Sequence, residues 1–266
     1  MKPIKFLSLC AGPMLLAIVA GAAINHKTEP VKSADQTING KGFALLELFT
    51  SEGCSSCPSA DELLAKIQKE SQGKPVYVLA YHVDYWNQLG WKDIFSNADY
   101  SKRQKEYSYT LNAQVYTPQV VINGKSEAVG SDERALRNAI AEGLAGSPSA
   151  NITLQAQQNG DKLTVNYQVT SGSATDKLLL AVVQKSAVSK VKAGENDGRT
   201  LTHAQIVRGL YPVKLTPEKK GVSTIKLPQG FNTQGWEVVG FVQSKTNGEI
   251  LSATKAQFSA TSTAAL

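Results

Sequence analysis

The chain has 266 residues, of which 42% are hydrophobic and 19% charged, with 21 Gly and 10 Pro. Those fractions exclude collagen-like, low-complexity and wholly disordered chains, and the length suggests one or two domains. Net charge is +6 and is spread along the chain, so the basic stripe or arm expected of a nucleic-acid binder is missing and no nucleic-acid partner is expected.

The N-terminus, MKPIKFLSLCAGPMLLAIVAGAA, has a short basic start, an apolar run from Phe6 to Val19 and the small-residue triplet Ala20-Gly21-Ala22. That is the pattern of a secretory signal peptide over residues 1–22. The run is interrupted by Pro13 and is short for a bilayer span. An uncleaved anchor is the alternative; after cleavage no membrane span is expected. Cys10 comes too early, behind the bulky Leu9, for a lipoprotein signal. Residues 23–41 read as a polar leader, and the mature protein is expected in the periplasm or outside a bacterium.

Removal of the signal leaves two cysteines, in Cys54-Ser55-Ser56-Cys57, the spacing of a redox dithiol. A two-pair zinc site would need a second pair of ligands. So small a loop gains little from a purely structural disulfide.

Phe43 to Phe49 reads as a buried strand, interrupted only by Glu47. Ser59 to Gln68 has helical spacing with acids in its first turn, and Val76 to Val83 is a second strand. Strand, CxxC, helix and strand make a βαβ unit. Residues Asp84 to Tyr116 follow as an insertion rich in Tyr, Trp, Lys and Asn, weakly helical over Ser101 to Leu111. Thr117-Pro118 then precedes a strand, Gln119 to Ile122, an Asn123-Gly124 turn and a weaker strand near Glu127 to Val129. Asp132 to Leu144 is an amphipathic helix.

Beyond the linker Gly146 to Ser149 the pattern changes to alternation. ITLQAQ and LTVNYQV form a hairpin, and KLLLAVV, VSTIKL, WEVVGFVQS and ILSATKAQF read as further strands, as in a β-sandwich. Lys190 to Leu210 reads as a loop plus a short helical turn. Within it Arg199 and His203 either brace the loop or reach the first domain near the CxxC.

Cys54 lies where a strand ends and a helix begins, and the polarised helix start favours a thiolate. Cys54 is therefore expected to be the exposed, attacking sulfur and Cys57 the buried, resolving one.

Strand–CxxC–helix–strand followed by Thr-Pro, a hairpin and a closing helix resembles the thioredoxin fold over about Gly42 to Ala145. The resemblance implies a cis proline at Pro118 facing the CxxC, with Thr117 touching the redox pair and substrate. More closely, LELFTSEGCSSCPSAD, LAYHVDYWNQLGWKD, VYTPQVVING and GENDGRTLTHAQIVRGL resemble an exported bacterial thioredoxin-like family of unknown function with a C-terminal β domain. The chain departs from ordinary thioredoxins in Gly53, in Ser-Ser between the cysteines and in its longer insertion.

Glu47 resembles the buried acid that thioredoxins place behind the resolving cysteine, so a role as proton acceptor for Cys57 is expected; a solvated edge glutamate is the alternative. His82, Asp84 and Trp86, at the carboxyl end of the second strand, are expected near the dithiol as substrate-binding groups. Asp84 could instead cap the next segment, with Tyr85 and Trp86 packing beneath the insertion.

The expected architecture is an α/β thioredoxin-like domain at 42–146 followed by an all-β sandwich-like domain at 150–260. The expected activity is exchange with protein or small-molecule thiols and disulfides, with no cofactor and no resident metal, and with an unknown redox partner. The rivals are a copper(I) or zinc carrier using the same cysteines and a non-catalytic thioredoxin-like binding module.

Overall fold

The computed structural model describes residues 42–259, Ala174 excepted. The expected signal and leader lie outside the described residues. Twelve strands and three α-helices are present among those described. In chain order these are β1 (Ala44–Thr50), α1 (Cys57–Glu70), β2 (Val76–His82), α2 (Ala98–Thr110), β3 (Gln119–Ile122), β4 (Ser126–Val129) and α3 (Glu133–Ala145). Then follow β5 (Ala150–Asn159), β6 (Lys162–Ser171), β7 (Lys177–Lys190), β8 (Thr200–Lys214), β9 (Lys220–Lys226), β10 (Trp236–Gln243), β11 (Ile250–Lys255) and β12 (Gln257–Phe258).

The fold is mixed α/β, with two large sheets. One has eight strands in the order β11-β10-β7-β8-β2-β1-β3-β4, and the other four, β12-β5-β6-β9. β1 and β2 are parallel, as a helical crossover requires, and β3 runs antiparallel to β1. The sheet begun by β1–β4 continues through β8, parallel to β2 at Ala80–Ile206, into β7, β10 and β11. The segments 42–146 and 150–260 therefore share one sheet. A sandwich is present, but one of its two layers is this shared sheet.

Alternation explains how. Leu178, Leu180 and Val182 of β7 pack with Leu154, Val165 and Tyr167 of the smaller sheet, whereas Leu179, Ala181 and Val183 pack with Leu45, Phe49 and Tyr81 on the opposite face. A strand buried on both faces carries an unbroken apolar run, and KLLLAVV is one. Around β1, Leu46 and Leu48 meet Ala60, Leu64, Ile67, Leu136 and Ile140 of α1 and α3; Leu45 and Phe49 meet Tyr100 and Tyr107 of α2.

The stretch expected as a loop and a helical turn is mostly strand: β8 starts at Thr200. Its inward positions include the buried His203 and Gln205, polar residues that break the usual apolar alternation. The helix expected from Ser59 starts two residues earlier, at Cys57 with Pro58 in its first turn, so Asp61 and Glu62 fall beyond that turn. Asp132 caps α3 by accepting from the Ala135 N–H at 2.9 Å.

Candidate functional site around the cysteine pair

Cys54 and Cys57 are joined as a disulfide, their Cα atoms 5.4 Å apart. Cys57 opens α1, and Cys54 sits in the turn that leaves β1. Contrary to the expectation of an exposed sulfur, Cys54 is 1% exposed and Cys57 0%. The covering element comes from the other end of the chain. The segment between β7 and β8 folds onto the turn, where the Asn196 amide donates to the backbone carbonyls of Glu52 and Cys54, both at 2.9 Å. The Glu195 carboxylate accepts from the Ser55 N–H at 3.0 Å, and Arg199 holds the Asn196 carbonyl at 2.7 Å.

Thr117 and Pro118 immediately precede β3. Their peptide bond is cis. A Cβ on Gly130 would lie 2.9 Å from Ala60 Cβ on α1 and 3.0 Å from Pro118 Cβ, so Pro118 packs against the start of α1 across a glycine. The Thr117 hydroxyl accepts from the Trp86 indole at 2.9 Å, and Trp86 in turn crowds the backbone at Gly53. Trp86 and Thr117 thus form one half-buried wall next to the CxxC turn. Asp84 does not face it: its carboxylate accepts from Ser101 of α2, tethering that helix.

Glu47 also lies elsewhere. It pairs in register with Leu79 and Val121, whose side chains face α2, so the strand's two-residue period points it away from α1 and from Cys57. The Arg103 guanidinium binds it at 2.7 and 3.0 Å, and the Tyr107 hydroxyl donates to it. Glu47 is thus placed in a buried ion pair on the α2 side of β1, whereas the expectation for it required the α1 side.

Buried titratable groups gather on the α1 face. His203 donates from Nδ1 to Asp61 at 3.2 Å and lies 3.4 Å by Nε2 from Glu52. Burial by itself would lower the imidazole, but the bonds and charges of Asp61 and Glu52 outweigh it and raise it to about 9. Burial opposes ionisation of Glu52 too; His203, Ser189 and Trp91 donate to its carboxylate and hold it below its ordinary range. A second pair stands alongside: His82 and Asp93 meet at 2.6 Å, and the His82 and His203 ring centres are 4.9 Å apart. Nε2 of His82 is buried without a hydrogen-bond partner among the described residues. Asp61 is four residues after Cys57 on α1, hence on the same buried face.

The residues of this cluster come from the four stretches that carry the family resemblance. CSSCPSAD supplies Cys54, Cys57 and Asp61; YHVDYWNQLGWKD supplies His82, Trp86 and Asp93; VYTPQ supplies Thr117 and Pro118; and GENDGRTLTH supplies Asn196 and His203. Of the two roles expected for Arg199 and His203, Arg199 braces its loop through Asn196, whereas His203 reaches Asp61 of α1 near the CxxC; the co-occurrence of these stretches is the sequence signal that points to Asp61. Among the described residues, no group of three or more His, Cys, Asp and Glu side chains is arranged to hold a metal ion. No described helix is long and apolar enough to cross a membrane.

The family described as Protein of unknown function (DUF1223) matches residues 45–243. A protein of Agrobacterium tumefaciens of known crystal structure is similar over 80% of this chain and 93% of its own, with a TM-score of 0.61 and 26% identity. A DUF3823 family protein from Bacteroides ovatus covers 41% of this chain and 53% of its own at a TM-score of 0.29 and 12% identity, too remote to carry an argument. No curated protein matches the chain.

Proposed function

The chain belongs to the DUF1223 family, and from that premise we propose that it is an exported thiol–disulfide oxidoreductase of thioredoxin-like type. The observation that carries the reading is the Cys54–Cys57 disulfide at the start of α1, with Trp86 against Gly53 of its turn, Thr117 bonded to Trp86 and Pro118 close to Ala60 of α1. A helix start favours a thiolate there, and a client peptide meets the Thr117 and Trp86 wall.

In the reaction, a client thiolate attacks Cys54 Sγ. The Cys54–Cys57 bond breaks, its electron pair leaves on Cys57, and a mixed disulfide remains on Cys54. A second client thiolate attacks the client sulfur of that mixed disulfide, releasing oxidised client and the Cys54 thiolate. The reverse sequence reduces a client. Because both cysteines are buried, a client reaches Cys54 only when the segment carrying Glu195 and Asn196 withdraws from the turn. Export rests on the signal pattern of residues 1–22, and the proposed compartment is the periplasm or exterior of a bacterium.

A Cys57→Ala variant tests the activity. It should accumulate mixed disulfides through Cys54, resolved on a non-reducing gel and identified by mass spectrometry, whereas Cys54→Ala should not. A blank with Cys57→Ala overturns the reading. The couple's potential against glutathione then gives the direction of electron flow: near about −270 mV indicates a reductant, near about −120 mV an oxidant.

A further inference from the structure

When the disulfide opens, the departing sulfur is left as an anion at a buried position on α1. The structure buries Cys57 completely, and a thiolate there has no water to stabilise it. Glu47, the acid in the preceding strand, faces the other side of the sheet. Something on the α1 face has to supply a proton.

Asp61 stands one helical turn from Cys57 on that face, with Cβ atoms of such positions about 5–6 Å apart. Its carboxylate is bonded to His203, whose far nitrogen approaches Glu52. Two carboxylates around one imidazole hold that ring as the imidazolium at neutral pH. The pair is sealed: His203 is 1% exposed and Asp61 7%. Its remaining surroundings are the His82–Asp93 pair from β2 and the insertion, Ser189 from β7 and the Phe95 ring, with Arg208 of β8 on that ring. Of these, only Asp61 shares both a helix and a face with a cysteine.

We propose that the Asp61–His203 pair holds the proton that the Cys57 sulfur takes up when the disulfide opens. The inference rests on the exchange reading above. In the step, attack on Cys54 releases Cys57 as thiolate. The imidazolium N–H of His203 is lost through Asp61 and the proton arrives on Cys57 Sγ, leaving neutral His203 and a thiol. The electron pair of the broken bond stays on Cys57, and the ring recovers a proton from solvent while the covering segment is still withdrawn. When the protein disulfide re-forms, the ring first gives that proton back to solvent; Cys57 then returns its own proton through Asp61 to the neutral imidazole, becomes thiolate and attacks Cys54 Sγ of the mixed disulfide, and the client leaves as its thiolate. His203 and Asp61 are positioning residues for this proton, and they lie 142 positions apart in the chain.

The test uses the full mature chain labelled with 13C at cysteine Cβ and 15N at histidine, titrated from pH 6 to 11. In the reduced protein the His203 and Cys57 signals should each show two steps with shared midpoints, because coupled groups titrate together. In the oxidised protein His203 should show one step. His203→Asn should move thiolate formation at Cys57 to higher pH, cutting its thiolate fraction at fixed pH about tenfold. Independent titrations of His203 and Cys57 in the natural protein overturn the proposal even if the variant fails to fold. If Cys57→Ala traps mixed disulfides while the titrations stay independent, this inference alone falls. A trapping blank with coupled titrations removes the exchange activity and leaves the coupling standing.

Discussion

Glu47 and Glu52 are five residues apart, both buried and both bonded to a base, yet they belong to different sides of the molecule. Glu47 lies inside β1, facing α2, where Arg103 and Tyr107 enclose it and Gln243 closes the set by bonding Arg103 and Tyr107. Glu52 lies past the end of β1, in the turn leading to Cys54, where it meets His203, Ser189 and Trp91. The first cluster pairs a carboxylate with a guanidinium that never releases its proton at ordinary pH. The second pairs carboxylates with an imidazole that can. A buried acid near a dithiol in sequence is therefore no guide to its chemistry; the base opposite it and the face it occupies are.

Breaking the α2-side cluster should have the largest effect. Arg103→Met leaves Glu47 buried without its counter-charge and should lower unfolding free energy by about 3–5 kcal/mol in urea titration. The Cys57 titration should stay in place, and a loss below about 1 kcal/mol would undo the contrast between the two clusters.

His203 gives the next effect, and it depends on pH. In the folded protein its pKa, about 9, is raised above the ordinary 6.5, so its contribution is complete below pH 6.5 and is lost as pH climbs through 9. Between pH 6 and 10 the natural protein should lose on the order of 3 kcal/mol from this group. His203→Asn should lack that slope and be less stable at pH 6; thermal melts across the range measure both. Equal slopes would mean that the imidazole is not held between the two carboxylates.

Asn196→Ala removes the two hydrogen bonds that hold the covering segment to the turn and the bond that Arg199 donates to Asn196. Stability should fall by about 1–2 kcal/mol, and reduction of the disulfide by a phosphine should speed up about tenfold as the segment opens more often. An unchanged reduction rate would show that Asn196 does not limit access. Glu195→Gln, on a fully exposed carboxylate, should be the mildest: stability unchanged and the reduction rate altered by less than about twofold.

Much of the local structure is legible in the chain. The runs of β1 and β2, the Asn-Gly hairpin at Asn123, and the amphipathic α3 follow from short-range patterns. His203 is harder to place, because β8 hides its alternation behind buried polar residues that are satisfied by partners far away in sequence. Asp61 reads as an ordinary first-turn helix acid, since two residues of uncertainty in the helix start shift its role. Cys54 reads as exposed because nothing near it in the chain covers it; Asn196 lies 142 positions away.

By itself the sequence determined the spacing of the two sulfurs, the periods of the strands and helices, and the residues able to carry a charge. Those properties reside in neighbouring residues and their backbone preferences. Only the tertiary structure decided that one sheet runs through both halves, that Glu47 turns its back on Cys57, and that His203 closes on Asp61. Each of these depends on which faces meet across the fold, and packing free energy is settled between surfaces distant in the chain.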